Sequence, residues 1–163
     1  MPKAARLKVA KRQGSQVNAA GDERSPDPAY VLDEQVGFLL RQVNQRHVVL
    51  FAQRVGQDIT PMQWAALAKL HEKGPLSQNL LGRLTAMDVA TVKGVVDRLT
   101  KRGLTEVRPD CTDGRRLLVG LSSKGRRLVQ VLSPLALAVS DDTLALLTSA
   151  ERTQFLRLLK KLC

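Results

Sequence analysis

Asp88-Val-Ala-Thr-Val-Lys-Gly-Val-Val-Asp-Arg-Leu-Thr-Lys-Arg-Gly-Leu-Thr-Glu-Val-Arg-Pro-Asp-Cys-Thr-Asp-Gly-Arg-Arg-Leu-Leu-Val-Gly-Leu121 changes its period halfway along. Up to Gly103, the residues Val89, Val92, Val95, Val96 and Leu99 recur every three or four positions, which is the spacing of one helix face. Asp88 stands in a capping position and Gly103 at a stop. Beyond Gly103 the period falls to two. Leu104-Thr-Glu-Val-Arg108 alternates, Pro109-Asp-Cys-Thr-Asp-Gly114 turns, and Arg115 to Leu121 can return as a second strand. Just upstream, Ser77 opens a short helix through about Leu84. Two short helices joined by a tight turn, with a hairpin directly after the second, form a winged helix-turn-helix candidate.

Working outward, Thr60-Pro-Met-Gln63 starts a helix clearly: Thr60 caps free amides, Pro61 takes the first helical position, and Gln63 can complete a capping box. Trp64, Leu67, Ala68 and Leu70 are its buried stripe, and Gly74-Pro75 ends it. Before it, Asp33 to Val55 reads as one long helix in which Val36, Leu39, Leu40, Val43, His47 and Leu50 follow helical spacing. A second set, Phe38, Val48, Val49, Ala52 and Val55, makes it apolar on more than one side, so it is expected to pack against its own domain and a partner subunit. After the hairpin, Ser122-Ser-Lys-Gly125 begins a helix to about Val139. Thr148-Ser-Ala-Glu151 is a second capping box, opening a helix whose Phe155, Leu158, Leu159 and Leu162 share a face. The expected fold is mainly α with a small β-hairpin wing. The winged helix-turn-helix spans 60–121 and dimerisation helices span 33–58 and 123–163, all within one domain of residues 30–163. Residues 1–29, ending in Ser25-Pro-Asp-Pro28, read as a flexible basic arm, either without a role or lending weak electrostatic attraction.

A formal net charge of +11 predicts attraction to a polyanion, nucleic acid first and an anionic membrane surface second. The excess is concentrated: residues 77–127 carry eleven Lys/Arg against five acids, while 30–76 carry five against four. A membrane-binding helix would place such charge on one amphipathic face, whereas this block holds helices, a turn and strands. That pattern suits double-stranded DNA, with no membrane partner. No apolar run approaches about 18 residues, the length of a membrane span, and no apolar stretch follows the basic start, so a secretory signal is not expected. Hydrophobic residues make up 44% but aromatics only 3%, so the core must be mostly Leu, Val and Ala. Cys111 and Cys163 are too few for a disulfide framework and lack metal-ligand spacing. No cofactor or metal is expected, and a reducing cytoplasm is the simplest home.

The 88–102 helix leaves Ala90, Thr91, Lys93, Gly94, Asp97, Arg98 and Lys101 outside its apolar face. Small and polar residues early on that face let a helix lie close to base edges in a major groove. Arg98 and Lys101, farther along, suit phosphates or intrahelical support. Ser77, Gln78 and Asn79, at the start of the preceding helix, are expected contacts too. The hairpin carries Arg115 and Arg116 in its turn and Arg108 on the opposite strand. An arginine projected from a thin turn can enter a minor groove, and Asp113 can orient the Arg115 guanidinium. Singly, each of these residues is equally a solvated surface group.

The run Thr91-Val92 to Val96-Asp97-Arg98-Leu99, then Lys101-Arg-Gly-Leu104, the turn Asp110-Cys-Thr-Asp-Gly-Arg-Arg116 and the closing Leu121-Ser-Ser-Lys-Gly125 resemble the MarR family of bacterial regulators. Thr60-Pro-Met-Gln-Trp64 is similar to that family's entry to its second helix. The resemblance covers about residues 33–163. It implies a homodimer with a winged helix-turn-helix in each subunit, a short palindromic operator, and release by a small aromatic or phenolic acid. Tyr30-Val-Leu-Asp-Glu-Gln-Val-Gly-Phe38, with Val43-Asn-Gln-Arg-His47, further resembles repressors of nicotinate catabolism, which implies a hydroxylated nicotinate as effector. Two departures matter. Lys93-Gly94 stands where many members carry Ser/Thr followed by a small or basic residue, so the operator sequence does not carry over. Cys111 is not near the start of the first helix, where oxidant-sensing members place their thiol.

Phe38, Arg41, His47, Phe51 and Trp64 gather the few aromatic and cationic groups of the first two helices, and are the expected effector site. A cation can hold an acid while rings cover its faces. The alternative is that all five pack the core and the dimer interface. An enzyme fares badly: His47 and His71 are the only histidines, neither in a metal motif, and no nucleophile elbow is present. Two other readings stay open, a thiol-redox-responsive regulator and a non-specific nucleoid-binding protein.

Overall fold

Every α-helix after the first begins where a short polar side chain accepts from a free amide of its first turn. A computed structural model describes residues 30–111 and 113–163; the arm expected over 1–29 lies outside the described residues. After a 3-10 turn at Leu32–Glu34 come α1 (Val36–Val55), α2 (Pro61–Lys73), β1 (Leu76–Ser77), α3 (Gln78–Leu84), α4 (Val89–Lys101), β2 (Thr105–Pro109), β3 (Leu117–Leu121), α5 (Ser123–Thr143) and α6 (Ser149–Leu159). Both expected capping boxes form. Thr60 Oγ1 accepts the Gln63 amide at 3.3 Å and Gln63 Oε1 accepts the Thr60 amide at 3.1 Å, which satisfies the buried Gln63 side chain. Thr148 and Glu151 do the same for α6.

The wing has a third strand that the period-two pattern did not reveal. The sheet order is β1-β3-β2, all antiparallel, with Leu76 opposite Val119 and Ser77 opposite Leu118. In the hairpin proper, Thr105 faces Leu121 and Arg108 faces Leu118. β1 thus fastens the entry of α3 to the wing by backbone pairing. Helix α5 runs through Pro134 to Thr143, one turn beyond the expected Val139.

The apolar core lies among α2, α3, α4, the sheet and the first half of α5. Leu67, Leu81, Val92, Val95, Leu99, Leu104 and Val129 are all buried there. Gly125 lets α5 begin directly against the wing. A Cβ at that position would stand 2.0 Å from the Leu104 carbonyl oxygen. Ser122 ties the same junction, its Oγ accepting the Gly125 amide at 3.0 Å and donating to the Gly103 carbonyl at 2.7 Å.

Outside that core the chain changes character. α1 packs along α5 and buries only Phe51, while α6 buries no residue. Val36, Leu39, Leu40, Val43, Leu158 and Leu162 remain exposed, Val36 at 66% and Leu162 at 76%. At about 25 cal/mol per Å² of apolar surface, such faces favour association. Residues 33–163 form one compact unit.

Candidate nucleic-acid interface and ligand cavity

Helix α4 is amphipathic by sequence, and its two faces separate except at Val89, which was expected on the apolar face but is 72% exposed in the first turn. Val92, Val95, Val96 and Leu99 are buried, while Ala90, Lys93, Asp97, Arg98 and Lys101 are exposed and Thr91 and Gly94 half-exposed. Asp88 starts the helix: its Oδ1 accepts the Thr91 amide and its Oδ2 the Thr91 hydroxyl, both at 2.7 Å. The backbone amide of Thr91, then its hydroxyl, hold the Asp88 carboxyl below the usual carboxylate range.

The start of α3 and the wing enclose a concavity of about 420 Å³, lined by Ser77, Gln78, Asn79, Arg83, Arg116 and Leu117. Four residues singled out in the sequence therefore meet across an element boundary. Arg83 joins them and was not anticipated; its signal is a spacing of four from Asn79 on a short exposed helix face. Ser77 is also the α3 cap, accepting the Leu80 amide at 3.3 Å.

The three wing arginines do not converge. Arg116 faces α3, Arg115 is exposed in the turn, and Arg108 lines a separate cavity of about 260 Å³ with His71, Glu106 and Arg126 near the end of α2. The expectation that Asp113 orients the Arg115 guanidinium is corrected. Its carboxylate accepts the Arg115 backbone amide at 3.1 Å, and its carbonyl accepts the Arg116 amide at 2.8 Å, so Asp113 shapes the turn instead. Among the described residues, no side-chain hydrogen bond or ion pair engages Arg83, Lys93, Arg98, Lys101, Arg108, Arg115 or Arg116. Arg54, Lys69, Lys73 and Arg152 are, by contrast, each paired with a carboxylate. These unpaired cations keep their full field toward solvent.

A third cavity, about 560 Å³, opens between α1, the end of α5 and α6. Leu40, Val43, Leu144, Leu147, Phe155 and Leu159 give it apolar walls, and Asn44, Arg46, His47, Ser140 and Thr143 its polar groups. Of the five residues expected to hold an effector, His47 lines this cavity and the other four do not. Arg41 lies over the Phe38 ring at 5.6 Å. Phe51 is 3% exposed, and Trp64 packs half-buried on the helix-turn-helix core. Arg54 clamps Asp142 with bonds of 2.6 and 3.0 Å, tying α1 to α5. Among the described residues no group of His, Cys, Asp and Glu could hold a metal, and no helix is long and apolar enough to cross a membrane. Cys111 and Cys163 are exposed free thiols.

The MarR family model matches residues 57–116. The HTH-type transcriptional repressor NicR of Pseudomonas putida is 38% identical over 134 residues, covering 82% of this chain and 85% of NicR. A probable transcriptional regulator from Pseudomonas aeruginosa superposes with a TM-score of 0.79 at 51% identity, over 82% of this chain and all of that one. BpsR of Bordetella bronchiseptica, whose DNA binding is described as regulated by 6-hydroxynicotinic acid, gives a TM-score of 0.78 at 39% identity, over 82% of this chain and 96% of its own.

Proposed function

This chain belongs to the MarR family of transcription regulators, and from that premise we propose that it is a homodimeric repressor of a palindromic operator, released by a small aromatic carboxylic acid. The observation that carries the DNA half of this reading is the meeting of the α3 start with Arg83 and Arg116 beside the open polar face of α4. In this reading Ala90, Thr91, Lys93 and Gly94 approach base edges in the major groove. Ser77, Gln78, Asn79, Arg83, Lys101 and Arg116 hold the backbone, and Arg115 enters the adjacent minor groove. Arg108 supplies attraction from the far side of the wing.

The dimer is proposed from the exposed apolar faces of α1 and α6, which one copy of the chain leaves uncovered. Two-fold symmetry then sets the two α4 helices about 34 Å apart, one turn of DNA.

For the effector we propose a hydroxylated pyridine carboxylate, as the relationship to BpsR suggests. His47 is the contact best supported by geometry, being half-buried in a cavity large enough for a small ring acid. Arg41, Phe38 and Phe51 on α1 and Trp64 on α2 are proposed to respond as the helices shift. A ligand that wedges α1 against α5 changes the spacing of the two α4 helices and favours the form that does not fit the operator. The test is release of operator DNA during titration with 6-hydroxynicotinate, nicotinate, salicylate and benzoate, repeated on His47→Ala and Trp64→Phe. Release by the hydroxylated pyridine acid, weakened in His47→Ala, supports the reading. Tight binding and release indifferent to both substitutions places the effector elsewhere.

A further inference from the structure

Gly94 is the one glycine in the middle of α4, where it costs helix stability relative to alanine. Its backbone does not need it, because its φ lies outside the left-handed range in which only glycine is comfortable. What a side chain there would meet is specific. A Cβ at position 94 would stand 3.3 Å from Nη1 of Arg98, 3.7 Å from Nη2 and 3.8 Å from Cζ, and no other side chain is as near. The Arg98 guanidinium is therefore folded back by one turn, over the bare backbone at Gly94. This is the direction in which residues four apart on a helix meet. Among the described residues it has no carboxylate or carbonyl partner, although Asp97 is its neighbour in sequence.

We infer that Gly94 is a seat for Arg98, and that Arg98 so seated reads a guanine through O6 and N7. This rests on the DNA-binding reading above and departs from the phosphate contact that the sequence suggests for Arg98. From its position late in the helix, Arg98 suits a phosphate; folded back, its fork lies level with the first half of α4, the part of such a helix that meets base edges. The guanidinium is planar, and its paired donors match the two acceptors of guanine in the major groove. Gly94 is a positioning residue: without a Cβ it lets the fork lie low enough to share the groove floor with Thr91 and Lys93.

The experiment is selection from a randomised duplex library by the full-length parent, Arg98→Ala, Arg98→Lys and Gly94→Ala, with affinity measured against salt and melting followed in parallel. The parent is expected to select a guanine at one symmetric position in each half-site, by about tenfold or more. Arg98→Ala and Arg98→Lys lose that preference alone, and Arg98→Ala keeps the parent's salt slope. Gly94→Ala weakens the same preference several-fold while melting at the parent's temperature or higher, because alanine favours the helix. Stability and specificity then move in opposite directions, which a merely structural glycine would not produce. An unchanged consensus in Arg98→Ala, with a salt slope lower by about one, makes Arg98 a phosphate contact and overturns the inference alone. Full discrimination in Gly94→Ala overturns the seat. A parent that selects no sequence overturns the DNA-binding reading itself, and this inference with it.

Discussion

His47 Nδ1 lies 2.9 Å from the hydroxyl oxygen of Thr143, and a third group fixes the direction of that bond. The Thr143 hydroxyl gives its one proton to the Val139 carbonyl at 2.7 Å, so the imidazole must donate from Nδ1. Nε2 is then the ring nitrogen left for a ligand in the cavity. His47→Ala is expected to raise the effector concentration needed for DNA release by up to about tenfold, the worth of one hydrogen bond accepted by Nε2 from the effector's hydroxyl. Operator affinity without effector stays unchanged. Thr143→Val frees the tautomer and weakens binding in the same direction, but less. Titration calorimetry on the three proteins checks the order.

Arg115→Ala is expected to weaken operator binding by about 1–3 kcal/mol and to lower the salt slope by about one. The fold stays intact, because the turn is held by the backbone bonds of Asp113 and Arg116 rather than by the Arg115 side chain. Anisotropy titrations at several salt concentrations provide the measurement. Equal affinity of parent and variant at matched salt removes the wing tip from the interface.

The proposed dimer predicts twice the monomer mass by light scattering at micromolar concentration. Leu39 and Leu158 both line the apolar cleft between α1 and α6, and both are about half-exposed. Leu39→Glu with Leu158→Glu should therefore yield a folded monomer that loses the palindrome. A monomeric parent contradicts the proposed assembly.

Gly125→Ala should destabilise by about 3 kcal/mol, at the upper end of overpacking costs. A Cβ there meets backbone, the Leu104 carbonyl, which cannot move without dislodging the wing from α5. Chemical denaturation of parent and variant measures it; a loss well under 1 kcal/mol would mean the junction is looser than its geometry.

Acid sensitivity follows from the caps. Asp88 is held below its ordinary value of 3.8 by bonds from Thr91, and Glu151 below 4.5 by the Thr148 backbone amide and hydroxyl. A depressed carboxyl contributes stability that is complete above the unfolded value and disappears as pH falls through the folded one. Melting temperature should thus be flat above about pH 5 and fall below the ordinary carboxylate range. Asp88→Ser keeps a cap but not the charge, and should make that fall shallower.

Elements announced by their own side chains were legible in the sequence: the valine face of α4, both capping boxes, and the period change at Gly103. What stayed hidden depends on backbone or on distant partners. β1 is two residues long, too short to show a period, and exists because β3 offers it hydrogen bonds. Arg83 becomes part of a site only because the wing folds beside α3. The effector residues were grouped by chemistry rather than by face. At about 100° per residue, Phe38 and His47 fall on opposite sides of α1, and in the structure only His47 reaches the α1–α5–α6 cavity.

Sequence-specific recognition of DNA by this chain is measured most directly by competition at physiological salt between a footprinted genomic palindrome and a scrambled duplex of equal length. A preference for the palindrome of at least about a thousandfold is expected, the lower end for specific regulators. Affinities for the two duplexes within a few-fold of each other, falling together with added salt, would mark a polyanion binder and contradict it.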